Sequence, residues 1–384
     1  MLGGGDVGAG RDIPGSSLAQ LTSLRYLAAV AVMASHLTFL GTSTAAPLRL
    51  AYDRLLAQGY CGVSFFFVLS GFIISYAYRD DLAAGRLSVS DFLKRRALRI
   101  FPLHWLVALP FLAWVGAVHG GTVHTLTTVL NLLLLHAWAL PPALHFSLNG
   151  PSWSLSVELF FYAMFPLLIM LRPPVLAVAA GVAVVVVAVL ASRSAGRSGA
   201  YASDVEFLFY VNPLVRLIDF AAGMLVFLVY RGGWLRRLGG TPGEVLLLVL
   251  VPVAMIAAPA LNVPLAWRYQ LFFLPLMAVL VLVFAHGKGA VSRLLRQPSM
   301  VVLGEASFAL YLVHRPIFTL ATQIARPGGP TADVALALGL LVGSSIVSVQ
   351  VYRRVDRPMQ LWLRRRLAGP RRHDAIVAAS ASPR

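Results

Sequence analysis

Long apolar runs recur along the whole chain, and they constrain its fold more than any other feature. Short polar or basic stretches separate eleven of them, at about residues 21–40, 60–78, 100–118, 126–140, 153–171, 174–191, 207–230, 244–260, 267–285, 300–324 and 333–352. A helix needs about 20 mostly apolar residues to cross a bilayer. The pattern therefore predicts an all-α, polytopic membrane helix bundle with no separate soluble domain.

The charges lie where a membrane protein would place them. Only 12% of the residues are charged, and the net charge of +17 comes from basic clusters between the apolar runs and from the stretch 353–372. Such clusters set topology and contact anionic lipid, whereas nucleic-acid binding needs a basic soluble face. The single cysteine, Cys61, excludes an internal disulfide, and no Cys/His spacing predicts a metal site.

Basic loops fix the predicted orientation. The loop 79–99 carries six Lys and Arg residues and is therefore assigned to the cytoplasm. If all eleven runs crossed, three later basic segments would lie outside. Because run 126–140 is the shortest, we predict that it is a re-entrant or interfacial segment on the outer side, which leaves ten spans and two cytoplasmic termini. A misassigned span elsewhere between residues 100 and 230 is the alternative.

The same pattern gives three predicted regions. Residues 1–17 form a flexible cytoplasmic N-terminus without a cleavable signal, residues 18–355 form the transmembrane domain, and residues 356–384 form a basic cytoplasmic tail.

Ionisable residues within spans mark function, because a charge at the bilayer centre costs about 2.5 to 3.5 kcal/mol on insertion scales. The candidates are Arg25, His36, His104, Glu158, Arg216, Asp219 and His314. His36 lies eleven residues after Arg25, which places both on one helix face about 16 Å apart. The alternative without a functional role is that Arg25 only extends its charge to the membrane surface and that His36 lies at the membrane interface.

Other candidates have clear partners or roles. Arg96 and Arg99 share a helix face and suit phosphate binding, although an ordinary basic cluster at the membrane boundary would also contain them. Glu158 needs a partner such as an Arg or His residue from a facing helix, either for function or purely for structure. Arg216 and Asp219, three residues apart, most simply pair with each other.

Two further positions have less specific roles. The small step Ser70-Gly71 is suited to close helix packing. His314 either lines a cavity or serves packing.

Five segments, in this order, resemble the acyltransferase 3 family of bacterial membrane O-acyltransferases, which modify polysaccharides, peptidoglycan and some macrolide antibiotics. The resemblance covers about residues 18–355. Its signals are Leu24-Arg25 through His36, Gly62-Val-Ser-Phe-Phe-Phe-Val-Leu-Ser-Gly-Phe, Arg96-Ala-Leu-Arg99-Ile-Phe-Pro, Trp153-Ser-Leu-Ser-Val-Glu158-Leu-Phe-Phe-Tyr and Leu303-Gly-Glu-Ala-Ser307-Phe-Ala-Leu-Tyr-Leu-Val-His314. The chain departs from the family pattern at Thr22, Ser23 and Tyr26, which affects packing more than chemistry.

The resemblance implies a ten-span core in the bacterial cytoplasmic membrane, an essential Arg25 and His36 pair, and acyl-CoA, most simply acetyl-CoA, entering from the cytoplasm. His36 is then the candidate base or an acyl-accepting nucleophile, and Glu158 orients a cationic or histidine partner. Arg25, Arg96 and Arg99 would hold the phosphates. The acceptor would be a hydroxyl-bearing carbohydrate or glycoside, and no metal is expected.

Two other function classes fit the composition. A transporter or flippase for a lipid-linked sugar or small molecule also contains buried charges, but it predicts no CoA dependence. A purely structural anchor fits poorly with seven ionisable residues in or near spans.

Overall fold

The structure is a computed structural model that describes residues 18–119, 125–194, 202–325 and 328–368. Every regular element in these ranges is helical. In chain order the α-helices are α1 Ala19–Ser35, α2 Ala46–Arg54, α3 Gly62–Ala83, α4 Val89–His119, α5 Thr125–Leu132, α6 Pro142–His145, α7 Trp153–Leu168, α8 Pro173–Ser194, α9 Ala202–Glu206, α10 Pro213–Arg231, α11 Thr241–Ala260, α12 Leu265–Arg268, α13 Leu274–His286, α14 Ala290–Leu295, α15 Pro298–Ile324, α16 Pro330–Val351 and α17 Arg357–Ala368. Short 3-10 helices are Thr38–Thr42, Leu56–Cys61, His136–Trp138, Gly150–Ser152 and Arg236–Gly239, and π-helical turns are Phe207–Val211 and Tyr352–Asp356.

The predicted polytopic helical membrane fold is confirmed. Among the described residues, seven helical segments are long and apolar enough to cross a membrane: Ala46–Ala83, Val89–Trp114, Pro173–Ser194, Ser203–Arg231, Thr241–Ala260, Pro298–Ile324 and Pro330–Leu363. Helices α1, α7 and α13 are apolar but shorter, with 17, 16 and 13 residues. The count of ten crossings needs these three helices to cross as well, and it stays a prediction.

The segment 126–140 does not form a spanning helix. Its only α-helical part belongs to α5, which has 8 residues and is therefore about 12 Å long, against a hydrocarbon core of about 30 Å. The chain then turns at Leu134, whose φ is 56°. Inside the bundle, Asn131 anchors the segment by donating to the carbonyl oxygen of Ser147 at 2.8 Å. This geometry fits the predicted re-entrant or interfacial segment.

Small residues allow the central helices to pack very closely. A Cβ atom on Gly71 of α3 would lie 2.0 Å from the carbonyl oxygen of Phe220 in α10, and one on Gly223 would lie 2.0 Å from that of Val68. This reciprocal contact confirms the predicted packing role for Gly71 of the Ser70-Gly71 step. Gly304 brings α15 equally close to α1, because its Cβ would lie 2.2 Å from the carbonyl oxygen of Thr22.

The helices form an inner group and a peripheral group. The most apolar 18-residue stretches of the segments that contain α3 and α10 are 67% and 61% buried within the protein. The corresponding stretches of α8 and α11 are only 17% and 22% buried. Exposed apolar side chains on α8 and α11 are the surface that lipid covers in a membrane protein. The polar residues discussed below lie among the inner helices.

The C-terminal region docks on α4. Helix α17 follows the π-helical turn Tyr352–Asp356, and Gln360 donates to the carbonyl oxygen of Leu98 at 3.0 Å. The first part of the predicted basic tail is therefore helical. Residues 1–17, predicted to be a flexible N-terminus, and residues 369–384 of the predicted basic tail lie outside the described residues.

Candidate active site

A cavity of about 290 Å³ opens among α1, α3, α4, α7 and α15. It contains four of the five residues predicted from the sequence to form the site. Its lining consists of Arg25, Val63, Phe66, Phe67, Leu69, Ser70, Ile73, Ile74, Arg96, Arg99, Ile100, Ser154, Leu155, Glu158, Tyr162, Ser307, Phe308 and Tyr311. One carboxylate among three guanidinium groups gives the cavity an excess of positive charge. The remaining predicted residue, His36, is not part of the lining.

Glu158 is held by hydroxyl groups from two helices. Its Oε1 atom accepts hydrogen bonds from Ser70 of α3 at 3.1 Å and from the hydroxyl of Tyr162, one turn further along α7. The Tyr162 oxygen in turn accepts a hydrogen bond from Arg96 Nη2 at 2.6 Å. A direct Arg or His partner was predicted for Glu158, and the structure instead places a tyrosine between the carboxylate and Arg96.

Arg96 faces the cavity while its neighbours in the basic cluster do not. Its guanidinium also lies over the Tyr162 ring, 4.4 Å from the centroid. Lys94 and Arg95 are exposed, as expected for residues that only set topology. The structure therefore separates the two readings of the cluster, since Arg96 is part of the cavity and Lys94 and Arg95 are not.

Arg99 already has a partner. Its Nη1 atom lies 2.9 Å and 2.8 Å from the two carboxylate oxygens of Asp356, which is buried at the start of the C-terminal region. Its guanidinium also lies 4.8 Å from the centroid of the Phe308 ring. Arg99 thus links α4 to the C-terminal segment, and any phosphate bound there would share it with Asp356.

Arg25 is the cation in this cavity that stays available. Within the described part of the chain, its guanidinium has neither a hydrogen-bond partner nor an ion-pair partner, although it is close enough to Arg99 and Glu158 for electrostatic interaction. A half-buried guanidinium without a partner among other cations is unfavourable in lipid unless an anion completes it. The site is therefore suited to an anionic ligand.

His36 lies outside the cavity, next to a second histidine. It follows the last residue of α1, and its ring centroid is 5.1 Å from that of His314 in α15. Tyr311 connects the two places, because it lines the cavity and its ring is 6.0 Å from the His314 ring. The structure thus brings Arg25, Arg96, Arg99 and Glu158 together and leaves His36 beyond Tyr311.

The candidate residues Arg216, Asp219 and His104 do not line the cavity. Arg216 and Asp219 pair as predicted, with Arg216 Nε 3.6 Å from Asp219 Oδ2 and both side chains fully buried. His104 is buried and bonds the carbonyl oxygen of Asn131 at 3.0 Å. In the part of the chain that the structure describes, no group of three or more His, Cys, Asp or Glu residues is placed to hold a metal ion.

Two residues of the site and one contact were not predicted from the sequence. The sequence contains a weak indication for Tyr162, because it follows Glu158 by one helical turn and could therefore contact it. Asp356 is an acidic residue in an arginine-rich stretch, and its pairing with Arg99 crosses 257 positions. The contact of His36 with His314 crosses 278 positions, so no local pattern indicates it.

Comparison with protein families identifies the scaffold that carries this cavity. A family model described as an acyltransferase domain matches residues 18–353, nearly the whole described chain. The chain belongs to this family. It is therefore an enzyme that transfers acyl groups other than aminoacyl groups, and the predicted resemblance is confirmed.

Several named relatives are similar over most of the chain. It is 30% identical to acyltransferase MdmB of Streptomyces mycarofaciens over 91% of this chain and 93% of the relative. It is 29% identical to the exopolysaccharide production protein ExoZ of Rhizobium meliloti over 78% of this chain and 89% of that protein. It is 24% identical to a putative peptidoglycan O-acetyltransferase, YrhL, of Bacillus subtilis over 91% of this chain and 55% of YrhL. No solved structure matches.

Proposed function

We propose that this acyltransferase moves an acyl group, most simply acetyl, from acyl-CoA to a hydroxyl of a glycan or a glycosylated natural product. The observation that carries the proposal is the unpartnered Arg25 in a cavity that Arg96 and Arg99 also line. Coenzyme A is polyanionic, and arginine binds phosphate oxygens in a bidentate manner. An acyl-CoA phosphate would supply the anion that Arg25 lacks.

Orientation supports a cytoplasmic donor. Arg96 and Arg99 lie at the end of the basic stretch 79–99, which positive-inside counting assigns to the cytoplasm, and Arg25 lies near the start of α1. The phosphates would then enter from the cytoplasmic side of a bacterial plasma membrane, and both chain termini would face the same side. The exposed basic residues around this entrance would contact anionic lipid headgroups.

Besides the residues that bind the phosphates, the reaction needs a base for the acceptor hydroxyl. His36 would take the proton from the acceptor hydroxyl while the hydroxyl oxygen attacks the thioester carbonyl carbon. Collapse of the tetrahedral intermediate breaks the carbon–sulfur bond, and the leaving thiolate takes the proton from the His36 imidazolium. Glu158 would keep Arg96 and Tyr162 in place, because its Oε1 atom accepts from the Tyr162 hydroxyl that Arg96 also contacts.

The relatives support the proposed acceptor class. One relative is described as a peptidoglycan O-acetyltransferase and another as an exopolysaccharide production protein. Both descriptions concern glycans, which carry many hydroxyl groups. We therefore propose a carbohydrate or glycoside acceptor, with a macrolide-type sugar among the candidates to test.

The direct test follows thiol release from acetyl-CoA by the purified protein in detergent, with a panel of sugar and glycoside acceptors. Acceptor-dependent release with formation of the acetyl ester is expected. Arg25→Gln should raise the KM for acetyl-CoA about 10-fold to 100-fold, the equivalent of one hydrogen bond to a charged group. Arg231→Gln is the matched control, because Arg231 pairs with Asp80 on an exposed surface, 2.7 Å away.

A donor without phosphates sharpens this test. S-acetylpantetheine lacks the charges that Arg25 is proposed to bind, so Arg25→Gln and the unmodified protein should use it equally well. A loss of activity with both donors would show that Arg25 serves structure rather than phosphate binding. Substrate movement without thiol release would instead favour transport.

The apolar wall of the cavity predicts a short acyl chain. The volume of about 290 Å³ is at the small end of ligand pockets, and the Phe66 ring packs edge to face on Tyr311 with centroids 5.9 Å apart. Phe66→Ala should therefore shift preference toward longer acyl-CoAs, raising the ratio of hexanoyl to acetyl transfer about tenfold. Initial rates with a chain-length series measure this ratio.

Phe308→Ala is the control for Phe66→Ala. Phe308 lines the same cavity but lies beneath the Arg99 guanidinium, where the proposal places phosphate rather than the acyl chain. An equal shift in chain-length preference in both variants, or in neither, would contradict the role assigned to Phe66.

A further inference from the structure

The side chain of His314 lies next to the proposed base. It is 1% exposed, and its Nε2 atom lies 3.3 Å from Nδ1 of His36. Rings on either side hold it, with centroids 6.0 Å away for Tyr311 and 5.8 Å away for Phe318. The close packing of α1 on α15 at Gly304 brings the two helices together. The contact is thus built into the core rather than made by mobile side chains.

The hydrogen-bond partners fix where the protons are. His314 Nδ1 lies 3.1 Å from the carbonyl oxygen of Leu310, and His36 Nδ1 lies 2.9 Å from that of Val32. A carbonyl oxygen only accepts, so both Nδ1 atoms carry a proton. In the neutral rings the Nδ1–H group of His36 donates to the carbonyl oxygen of Val32, and the lone pair of His314 Nε2, 3.3 Å away, is a second acceptor for the same N–H group. His36 Nε2 is left unprotonated, which is the state that a general base requires.

We propose that His314 is a positioning residue that holds His36 in this orientation and stabilises its protonated form. The inference rests on the proposed function, in which His36 takes the proton from the acceptor hydroxyl. Once His36 is protonated, its Nδ1–H becomes a charged donor, and the hydrogen bond that it shares between the Val32 carbonyl oxygen and His314 Nε2 becomes stronger. The bond therefore favours the state that forms during the reaction over the resting state.

Two substitutions distinguish this role from packing. Gln places an amide oxygen near the position of the His314 Nε2 atom and so keeps an acceptor. Leu fills a similar volume without one. His314→Leu should lower the turnover number at saturating acyl-CoA about 10-fold to 100-fold, the equivalent of one hydrogen bond to a charged group. His314→Gln should stay within about threefold of the unmodified protein.

The KM for acyl-CoA should change in neither variant, because the residues proposed to bind phosphates lie in the cavity and His314 does not. Combining His314→Leu with His36→Ala should cause no further loss, since the two residues act through one group. These parameters are measured in the thiol-release assay, beside thermal unfolding of each variant.

Each outcome decides a different question. Full turnover in His314→Leu, or equal losses in the Leu and Gln variants, would overturn the positioning role while leaving the proposed function in place. A further loss when His314→Leu is added to His36→Ala would overturn it as well. An unmodified protein without acyl transfer from any acyl-CoA would overturn the proposed function and this inference together.

Discussion

Replacing His36 by alanine is expected to lower the turnover number for acyl transfer about 100-fold to 10,000-fold, the usual contribution of a positioned general base. The cavity that we propose binds the phosphates does not include His36, so the KM for acyl-CoA should remain close to that of the unmodified protein. The result is the same if His36 instead becomes acylated during the reaction, because alanine supports neither role. Initial rates at saturating acyl-CoA measure the effect.

A second histidine provides the matched control. His286 ends α13, where its Nε2 atom lies 3.2 Å from the carbonyl oxygen of Trp234, and it is not part of the cavity lining. His286→Ala should keep normal turnover. Normal turnover in His36→Ala, with normal membrane insertion, would exclude His36 both as base and as nucleophile.

Separate effects on the turnover number and on the KM for acyl-CoA are expected because the proposed site has two parts, the cavity and the pair of His36 with His314. A rise of about 16 Å separates Arg25 from His36 along α1, and Tyr311 stands between the cavity and the histidine pair. A substitution in one part should thus leave the other parameter nearly unchanged. A donor that binds in the cavity must extend its acyl end past Tyr311 to reach His36, which makes the Phe66 and Tyr311 contact the place where chain length matters.

The fold was largely predictable because hydrophobic length carries its main signal. The run at 126–140 was too short to span, and α5 indeed stops after 8 residues. Helix ends were less predictable. The first apolar run extends to about residue 40, yet α1 stops at Ser35 and puts His36 at a helix end, beside α15. Hydropathy does not register such an end, because the residues that follow are still apolar.

The candidate site was predictable only to the level of single residues. The cost of charge in lipid singled out Arg25 and Glu158, and both line the cavity. Partners were not predictable, because the bond of Arg96 to Tyr162 and the pairing of Arg99 with Asp356 join distant parts of the chain. The pairing of Arg216 with Asp219 was predictable, since their separation of three residues is a local helical contact.

Arg216→Met is expected to destabilise the folded protein by about 3 to 5 kcal/mol, the cost of leaving one partner of a buried ion pair alone. The Arg216 side chain is fully buried, and it donates to the carbonyl oxygen of Tyr269 at 2.9 Å and to Ser64 Oγ at 3.0 Å. Its removal leaves Asp219 with Gln270 as its nearest donor, at 2.5 Å. Unfolding from mild detergent into a denaturing detergent measures the loss.

The double variant Arg216→Met with Asp219→Leu tests the cause. Since it removes both charges, it should recover much of the stability that Arg216→Met loses, because apolar replacement of a whole buried pair is often neutral. Arg231→Met is the surface control, with a side chain 56% exposed in its pair with Asp80, and it should change stability by less than about 1 kcal/mol. Equal losses in the single and double variants would mean that the hydrogen bonds to Tyr269 and Ser64, rather than the unpaired carboxylate, account for the effect. In that case Arg216 would act mainly as a link between α10, α3 and the segment after α12.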